Sequence, residues 1–87
     1  MKVKQGFMLR AIAGNYVVVP VGKAAIDFNG IITLNETGAF LWEQLVHEVT
    51  LETLLSKMID TYEVSMEQAT NDLKAFIKTL EEANLLG

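Results

Sequence analysis

The chain has 87 residues, no cysteine and a formal net charge of −4 at neutral pH. Its length predicts a single domain over residues 1–87, and 51% hydrophobic residues are enough to bury a core. The absence of cysteine excludes a disulfide framework, a thiolate nucleophile and Cys-based zinc or iron–sulfur sites. No apolar run approaches the roughly 20 residues of a membrane span, and no signal peptide is recognisable, so we expect a soluble cytoplasmic protein.

The first third of the chain predicts β-strands. Residues 7–12 and 16–19 are rich in strand-forming side chains, and the Gly14-Asn15 pair between them tolerates the positive φ of a tight hairpin turn. Pro20 and Gly22 predict a bend or loop over residues 21–23, since proline cannot donate to a ladder.

The strongest hairpin signal is Asn29-Gly30, which separates the apolar runs 25–28 and 31–34. A two-residue turn there makes Phe28 and Ile31 the closing hydrogen-bonded pair. The backbone groups of Ile32 and Leu34 then point outward, and those of Thr33 point to the partner strand. A turn one residue longer reverses this pattern.

The remainder of the chain predicts three helices. Asn35, Thr50 and Ser65 are good N-caps, and Gln68 follows Ser65 at capping-box spacing. We expect the third helix to end near Ala83, with Asn84 in a left-handed conformation. Each helix has an apolar stripe at helical spacing. The predicted stripes are Gly38, Leu41, Trp42, Leu45 and Val49; Leu51, Leu54, Leu55, Met58, Ile59 and Tyr62; and Met66, Ala69, Leu73, Phe76, Ile77 and Leu80.

Residues with catalytic or metal-binding potential are sparse. His47 is the only histidine, and its pairing with Glu43 at i, i+4 supplies two ligands where a metal site needs at least one more. The glycines lack the spacing of a phosphate-binding loop. Phe40 lies opposite the core stripe of the first helix, which indicates either burial against the sheet or a protein-docking surface.

The order and spacing of several residues resemble the PqqD-like family, named for the small protein of pyrroloquinoline quinone biosynthesis. The central motif is Leu34-Asn35-x-Thr37-Gly38-x-x-Leu41-Trp42-x-x-Leu45, and the later matches are Thr50, Leu54, Tyr62, Val64 and Asp72-Leu73-x-x-Phe76-x-x-x-Leu80 before a Leu-Leu pair. Two departures are Asn84, where many members have glycine, and a segment over residues 21–29 that looks longer than the usual connection.

This resemblance implies an α+β, winged-helix-like fold with an N-terminal three-stranded antiparallel sheet followed by a three-helix bundle. It also implies a non-catalytic RiPP recognition element, without metal or cofactor. Such a domain binds the leader of a ribosomally made precursor peptide and presents it to a modifying enzyme, often a radical S-adenosylmethionine enzyme.

We expect the leader to add as a β-strand to the edge formed by the last strand, with pockets supplied by the third helix. On that helix we prefer the border with Lys74 to the one with Asp72 and Phe76, because Lys74 can meet an acidic leader residue. The predicted contacts are Ile31, Ile32, Thr33, Leu34, Thr70, Lys74 and Ile77. An edge contact of this size suggests an affinity on the order of micromolar.

Two other classes of function fit the same pattern. A winged helix can bind DNA, since fold does not fix function, but residues 36–87 carry three basic and ten acidic residues. We therefore expect no nucleic-acid partner. The other alternative is a structural module that self-associates, for example as a homodimer, through the exposed sheet edge.

Overall fold

The computed structural model describes residues 1–22 and 32–87, and its described elements follow the predicted α+β order. A three-stranded antiparallel sheet precedes three helices. The elements are β1 (Phe7–Ile12), β2 (Asn15–Pro20), β3 (Ile32–Leu34), α1 (Glu36–Gln44), α2 (Leu51–Tyr62) and α3 (Met66–Glu82). The chain forms two compact units, residues 4–43 and residues 1–3 with 44–87, which are described separately below.

In the first unit, β1 and β2 form the predicted hairpin, but its turn residues are Ala13 and Gly14 and not the predicted Gly14-Asn15 pair, because Asn15 already pairs with Ile12. Ala13 and Gly14 have φ angles of 51° and 82°, and positive φ at both central residues is what a type I′ turn requires. The register pairs Ile12 with Asn15 and Phe7 with Pro20, so β2 continues one residue beyond the predicted run at each end. Pro20 is tolerated because its missing N–H would point away from β1.

The middle strand also pairs with β3, in antiparallel register, which gives the order β1-β2-β3. Tyr16 lies opposite Leu34 and Val18 opposite Ile32. The predicted Asn29-Gly30 turn, the run 25–28 and Ile31 lie outside the described residues. Among the described residues, the sheet partner of residues 32–34 is β2.

The two faces of the sheet differ in burial. Val18 and Leu34 share one face and are 0% and 7% exposed. On the opposite face Met8 and Ile12 are about half exposed, at 46% and 54%, although Val17 on that face is buried. The first face is consequently the core face of the sheet.

The helix α1 begins at the predicted cap. The Asn35 side-chain oxygen accepts from the Gly38 N–H at 2.7 Å, and the Asn35 carbonyl accepts from the Ala39 N–H at 2.9 Å. Gly38, Leu41 and Trp42 are buried as predicted, and Ala39 is buried as well. Trp42 is only 2% exposed.

In the second unit, the prediction that Leu45 and Val49 continue the helical stripe of α1 is wrong. The helix ends at Gln44, so both residues lie beyond it. The backbone of this segment pairs with the N-terminal residues. The Leu45 carbonyl accepts from the Val3 N–H at 2.9 Å, and the Val49 N–H donates to the Met1 carbonyl at 3.0 Å. Leu45 is still fully buried, so it contributes to the core from outside the helix.

The helices α2 and α3 pack on each other within this unit and have the predicted caps. Thr50 accepts from the Thr53 N–H and Ser65 from the Gln68 N–H, each at 3.1 Å. Their buried residues are Leu54, Met58, Ala69, Leu73 and Leu80. Leu51 and Met66 were predicted on the same stripes but are 45% and 60% exposed, since each is the first residue of its helix.

The C-terminus of α3 closes in a Schellman motif. Asn84 has the expected positive φ of 59° and donates to the Glu81 carbonyl at 3.0 Å, while Leu85 donates to Leu80 at 2.9 Å. Both leucines are fully buried, which supplies the apolar contact that accompanies this motif. Leu86 then forms an isolated antiparallel bridge with Val3.

Candidate functional site

The orientation of the β3 backbone follows from the register of the whole sheet. The Val21 N–H donates to the Gly6 carbonyl at 2.8 Å, so the odd-numbered residues of β2 direct their backbone groups to β1. The even-numbered residues Tyr16 and Val18 then direct theirs to Leu34 and Ile32. Within β3, only Thr33 presents its N–H and C=O to the outer edge.

This orientation contradicts the prediction for Ile32 and Leu34, whose backbone groups are directed to β2 and not to the outer edge. The sequence predicted the backbone groups of Ile32 and Leu34 on the outer edge, with residues 25–28 as the partner strand. Pairing of β3 with β2 engages the backbone groups of Ile32 and Leu34 on the inner side of β3. The predicted pairing of Thr33 with residues 25–28 lies outside the described residues. Among residues 1–22 and 32–87, no strand pairs with the outer edge of β3, so the described structure leaves the Thr33 groups available there.

The side chains of β3 alternate along the same three residues. Leu34 is buried on the core face, Ile32 is half-buried on that face, and Thr33 is exposed on the opposite face. The short edge therefore combines one outward-facing peptide group with apolar side chains on one face. It can accept an extended chain as an added strand.

The predicted helix residues lie along one border of α3, in the second unit. Thr70 and Ile77 are half-buried and Lys74 is exposed. The Thr70 hydroxyl donates to the Met66 carbonyl at 2.7 Å, whereas the Lys74 ammonium forms no ion pair with any described residue. On the other border, Asp72 accepts from the Gln68 amide at 2.9 Å. The border with Lys74 thus presents a cation and the other border an anion, and neither charge has an ion-pair partner among the described residues.

Phe40, the predicted docking residue, is half-buried in α1 and takes part in an interaction within the chain. It is therefore less exposed than its position opposite the core stripe suggested. The exposed fraction of Phe40 is lower than that of Met8 or Ile12 on the sheet.

Ionisable groups in the described part of the chain do not converge on a site. No group of three or more His, Asp or Glu side chains is arranged to hold a metal ion among residues 1–22 and 32–87. His47 is exposed beyond the end of α1. The amino-terminal ammonium donates to the Glu48 carboxylate, and this hydrogen bond lowers the pKa of Glu48 below its ordinary value.

No described helix is long and apolar enough to cross a bilayer.

A shallow depression in the second unit is lined by Met1, Glu48, Val49, Thr50, Leu51 and Thr53. Because the Glu48 carboxylate there already accepts from the amino terminus, the depression offers no unpaired acidic group.

Comparison with solved structures identifies a protein of the same fold at low sequence identity. The structure described as TbiB1 in complex with the TbiA(beta) leader peptide matches with a TM-score of 0.76 and 20% sequence identity. The match covers 99% of this chain and 94% of that one. A comparison with curated protein sequences finds no significant match.

The sequence profile of the family described as coenzyme PQQ synthesis protein D (PqqD) matches residues 15–86. This range includes β2, β3 and all three helices, and therefore the Leu34–Leu45 motif from which the resemblance was first inferred. The profile covers most of the chain. The chain belongs to the PqqD family.

Proposed function

We propose that this protein is a non-catalytic adaptor that binds the leader of a ribosomally made precursor peptide and presents it to a peptide-modifying enzyme. Its membership of the PqqD family and its fold, shared with a protein bound to a leader peptide, support this function. The observation that carries the proposal is the outward-facing backbone of Thr33 at a sheet edge that no described strand covers.

The leader adds to this edge as a further β-strand. Thr33 exchanges two backbone hydrogen bonds with one leader residue, while Ile32 and Leu34 keep their bonds to β2. The contribution of Ile32 and Leu34 is therefore through their side chains on the core face. Ile31 stays a proposed contact, although it lies outside the described residues. A contact this small corresponds to an affinity on the order of micromolar.

The α3 border is proposed as a leader contact in its own right. Thr70 and Ile77 offer partly exposed apolar surface, and Lys74 offers a cation without an ion-pair partner among the described residues. An acidic leader residue fits this combination. An exposed ion pair with Lys74 adds only modest affinity, but it favours a negatively charged leader residue over a positively charged one.

The proposed function also involves an enzyme partner and a cellular location. The enzyme served is a radical S-adenosylmethionine enzyme, the protein acts in the cytoplasm, and Phe40 contributes its exposed surface to docking with that enzyme. A homodimer through the sheet edge would compete with the leader, so we propose that self-association is confined to the peptide-free protein.

Replacement of Thr33 by proline tests strand addition directly. Proline removes the outward N–H and places its ring on the outer edge, but both β3–β2 hydrogen-bonded pairs use Ile32 and Leu34 and survive. Fluorescein-labelled synthetic peptides from short reading frames beside the gene are the probes. We expect Thr33→Pro to weaken their binding by about tenfold or more in fluorescence anisotropy.

Thr33→Val is the matched control, since it keeps the backbone N–H and the size of the side chain. We expect it to bind within about threefold of the parent protein, a difference of under about 1 kcal/mol. An amide-to-ester replacement at Thr33 removes the donor without the proline ring and serves if Thr33→Pro melts early. Unchanged binding by a folded Thr33→Pro protein would exclude the edge as the leader site.

A further inference from the structure

The three residues of β3 place different demands on the two faces of an added strand. Ile32 and Leu34 lie on the core face of the sheet opposite Val18 and Tyr16, and Val18 is fully buried. Thr33 is exposed on the other face. Ile32 is only half-buried although it belongs to the core face, so part of its apolar side chain is left exposed.

Side chains directly opposite each other on neighbouring strands project to the same face of the sheet, whichever way the strands run. A peptide residue that pairs with Thr33 therefore directs its side chain to the exposed face. Its two neighbours in sequence lie opposite Ile32 and Leu34 and direct theirs to the core face. These two neighbours are separated by one residue.

From this geometry we infer a recognition pattern, which rests on the proposed leader binding: the bound segment carries apolar side chains at positions i and i+2. The intervening residue i+1, which pairs with Thr33, is recognised only by its backbone hydrogen bonds. Polar and charged side chains are accepted at i+1, because Thr33, the residue that pairs with it, is exposed on that face.

The recognised segment is short on one side. After Leu34, the next backbone acceptor is the Asn35 carbonyl, which already accepts from the Ala39 N–H at 2.9 Å. The Asn35 side-chain oxygen is likewise engaged by the Gly38 N–H. The hydrogen-bond ladder between β3 and the peptide therefore ends where α1 begins. Side-chain selectivity then depends mainly on the peptide residues at i and i+2.

A display selection from short randomised peptides tests this pattern, with immobilised parent protein as bait and Thr33→Pro protein in a parallel selection. We expect peptides that bind the parent alone to be enriched in apolar residues at i and i+2. In synthetic versions of the enriched peptides, serine at either position should weaken binding at least roughly tenfold. Serine or lysine at i+1 should change it less than about threefold.

The outcomes separate this inference from the proposed function. Peptides that depend on the Thr33 edge but lack the i, i+2 spacing would overturn the recognition pattern and leave leader binding in place. Apolar residues at i, i+3 and i+4 would point to a helical ligand and also overturn it. Peptides that bind Thr33→Pro and parent protein equally, with both folded by circular dichroism, would overturn the strand-addition function and the pattern together.

Discussion

Ala13 adopts a backbone conformation that a residue with a Cβ atom rarely takes. Its φ of 51° is imposed by the type I′ turn between β1 and β2, where the following residue, Gly14, has a φ of 82°. The left-handed conformation costs an L-residue roughly 1–2 kcal/mol, and asparagine tolerates it better than alanine.

We therefore expect Ala13→Asn to stabilise the protein by about 0.5–1 kcal/mol, because it creates the Asn-Gly pair that type I′ turns favour. Urea denaturation monitored by Trp42 fluorescence measures the change in the free energy of unfolding. Ala13→Val is the opposing control and should destabilise, since a β-branched residue is strained at positive φ. A destabilised Ala13→Asn protein would contradict the turn assignment.

Trp42 and Met66 were both predicted to face the core, but the structure treats them differently. Trp42 is 2% exposed and Met66 is 60% exposed. Replacing Trp42 with alanine should lower the free energy of unfolding by about 3–5 kcal/mol, a large part of the stability of a small domain. Met66→Ala should change it by less than about 0.5 kcal/mol.

Thermal melting followed by far-ultraviolet circular dichroism compares the two variants without relying on the tryptophan signal. A Trp42→Ala protein that melts within a few degrees of the parent would contradict the burial of this side chain.

The start of helix α1 depends on one side chain. The Asn35 oxygen accepts from the Gly38 N–H at 2.7 Å, immediately after the three residues of β3. Asn35→Ala leaves that N–H without its cap and should destabilise by about 1 kcal/mol. Asn35→Asp keeps an acceptor and adds a negative charge at the positive end of the helix dipole.

Urea denaturation of both variants checks this prediction at neutral pH, where the introduced aspartate is ionised. Equal stability of Asn35→Ala and Asn35→Asp would mean that the cap contributes nothing to α1. Because the cap and β3 adjoin, loss of leader binding by Asn35→Ala alone would be uninformative about the edge, and Thr33→Val remains the binding control.

At the scale of the whole molecule, charge argues against a nucleic-acid ligand. The net charge is −4, and the sequence of α3 contains Lys74 and Lys78 against Glu67, Asp72, Glu81 and Glu82. Affinity for duplex DNA depends on several Lys or Arg contacts to phosphate, each with release of counterions.

We therefore expect duplex DNA to bind no better than an unrelated polyanion such as heparin, with any weak binding lost as salt is raised. Electrophoretic mobility shifts at several salt concentrations measure this. A sequence-dependent shift at physiological salt would contradict the prediction and favour a winged-helix regulator.

Local interactions explain which features could be predicted from the sequence. The caps Asn35, Thr50 and Ser65 act within three residues of themselves, and the hairpin around Ala13-Gly14 needs only its own turn. Helical stripes report the core face, which is why Trp42, Leu54 and Leu73 were recognised as buried. The left-handed Asn84 followed from the same local reasoning.

Long-range pairing explains what the sequence could not decide. The end of α1 at Gln44 depends on the pairing of residues 45–49 with Met1 and Val3, more than forty residues away in sequence. The orientation of the Thr33 backbone depends on the pairing of Ile32 and Leu34 with β2, because alternate residues of a strand direct their backbone groups to opposite sides. Local sequence patterns therefore predicted the order of strands and helices, the caps and most of the core, and the family resemblance implied the fold class. Only the tertiary structure decided which peptide group faces outward, because strand register is set by a non-local partner.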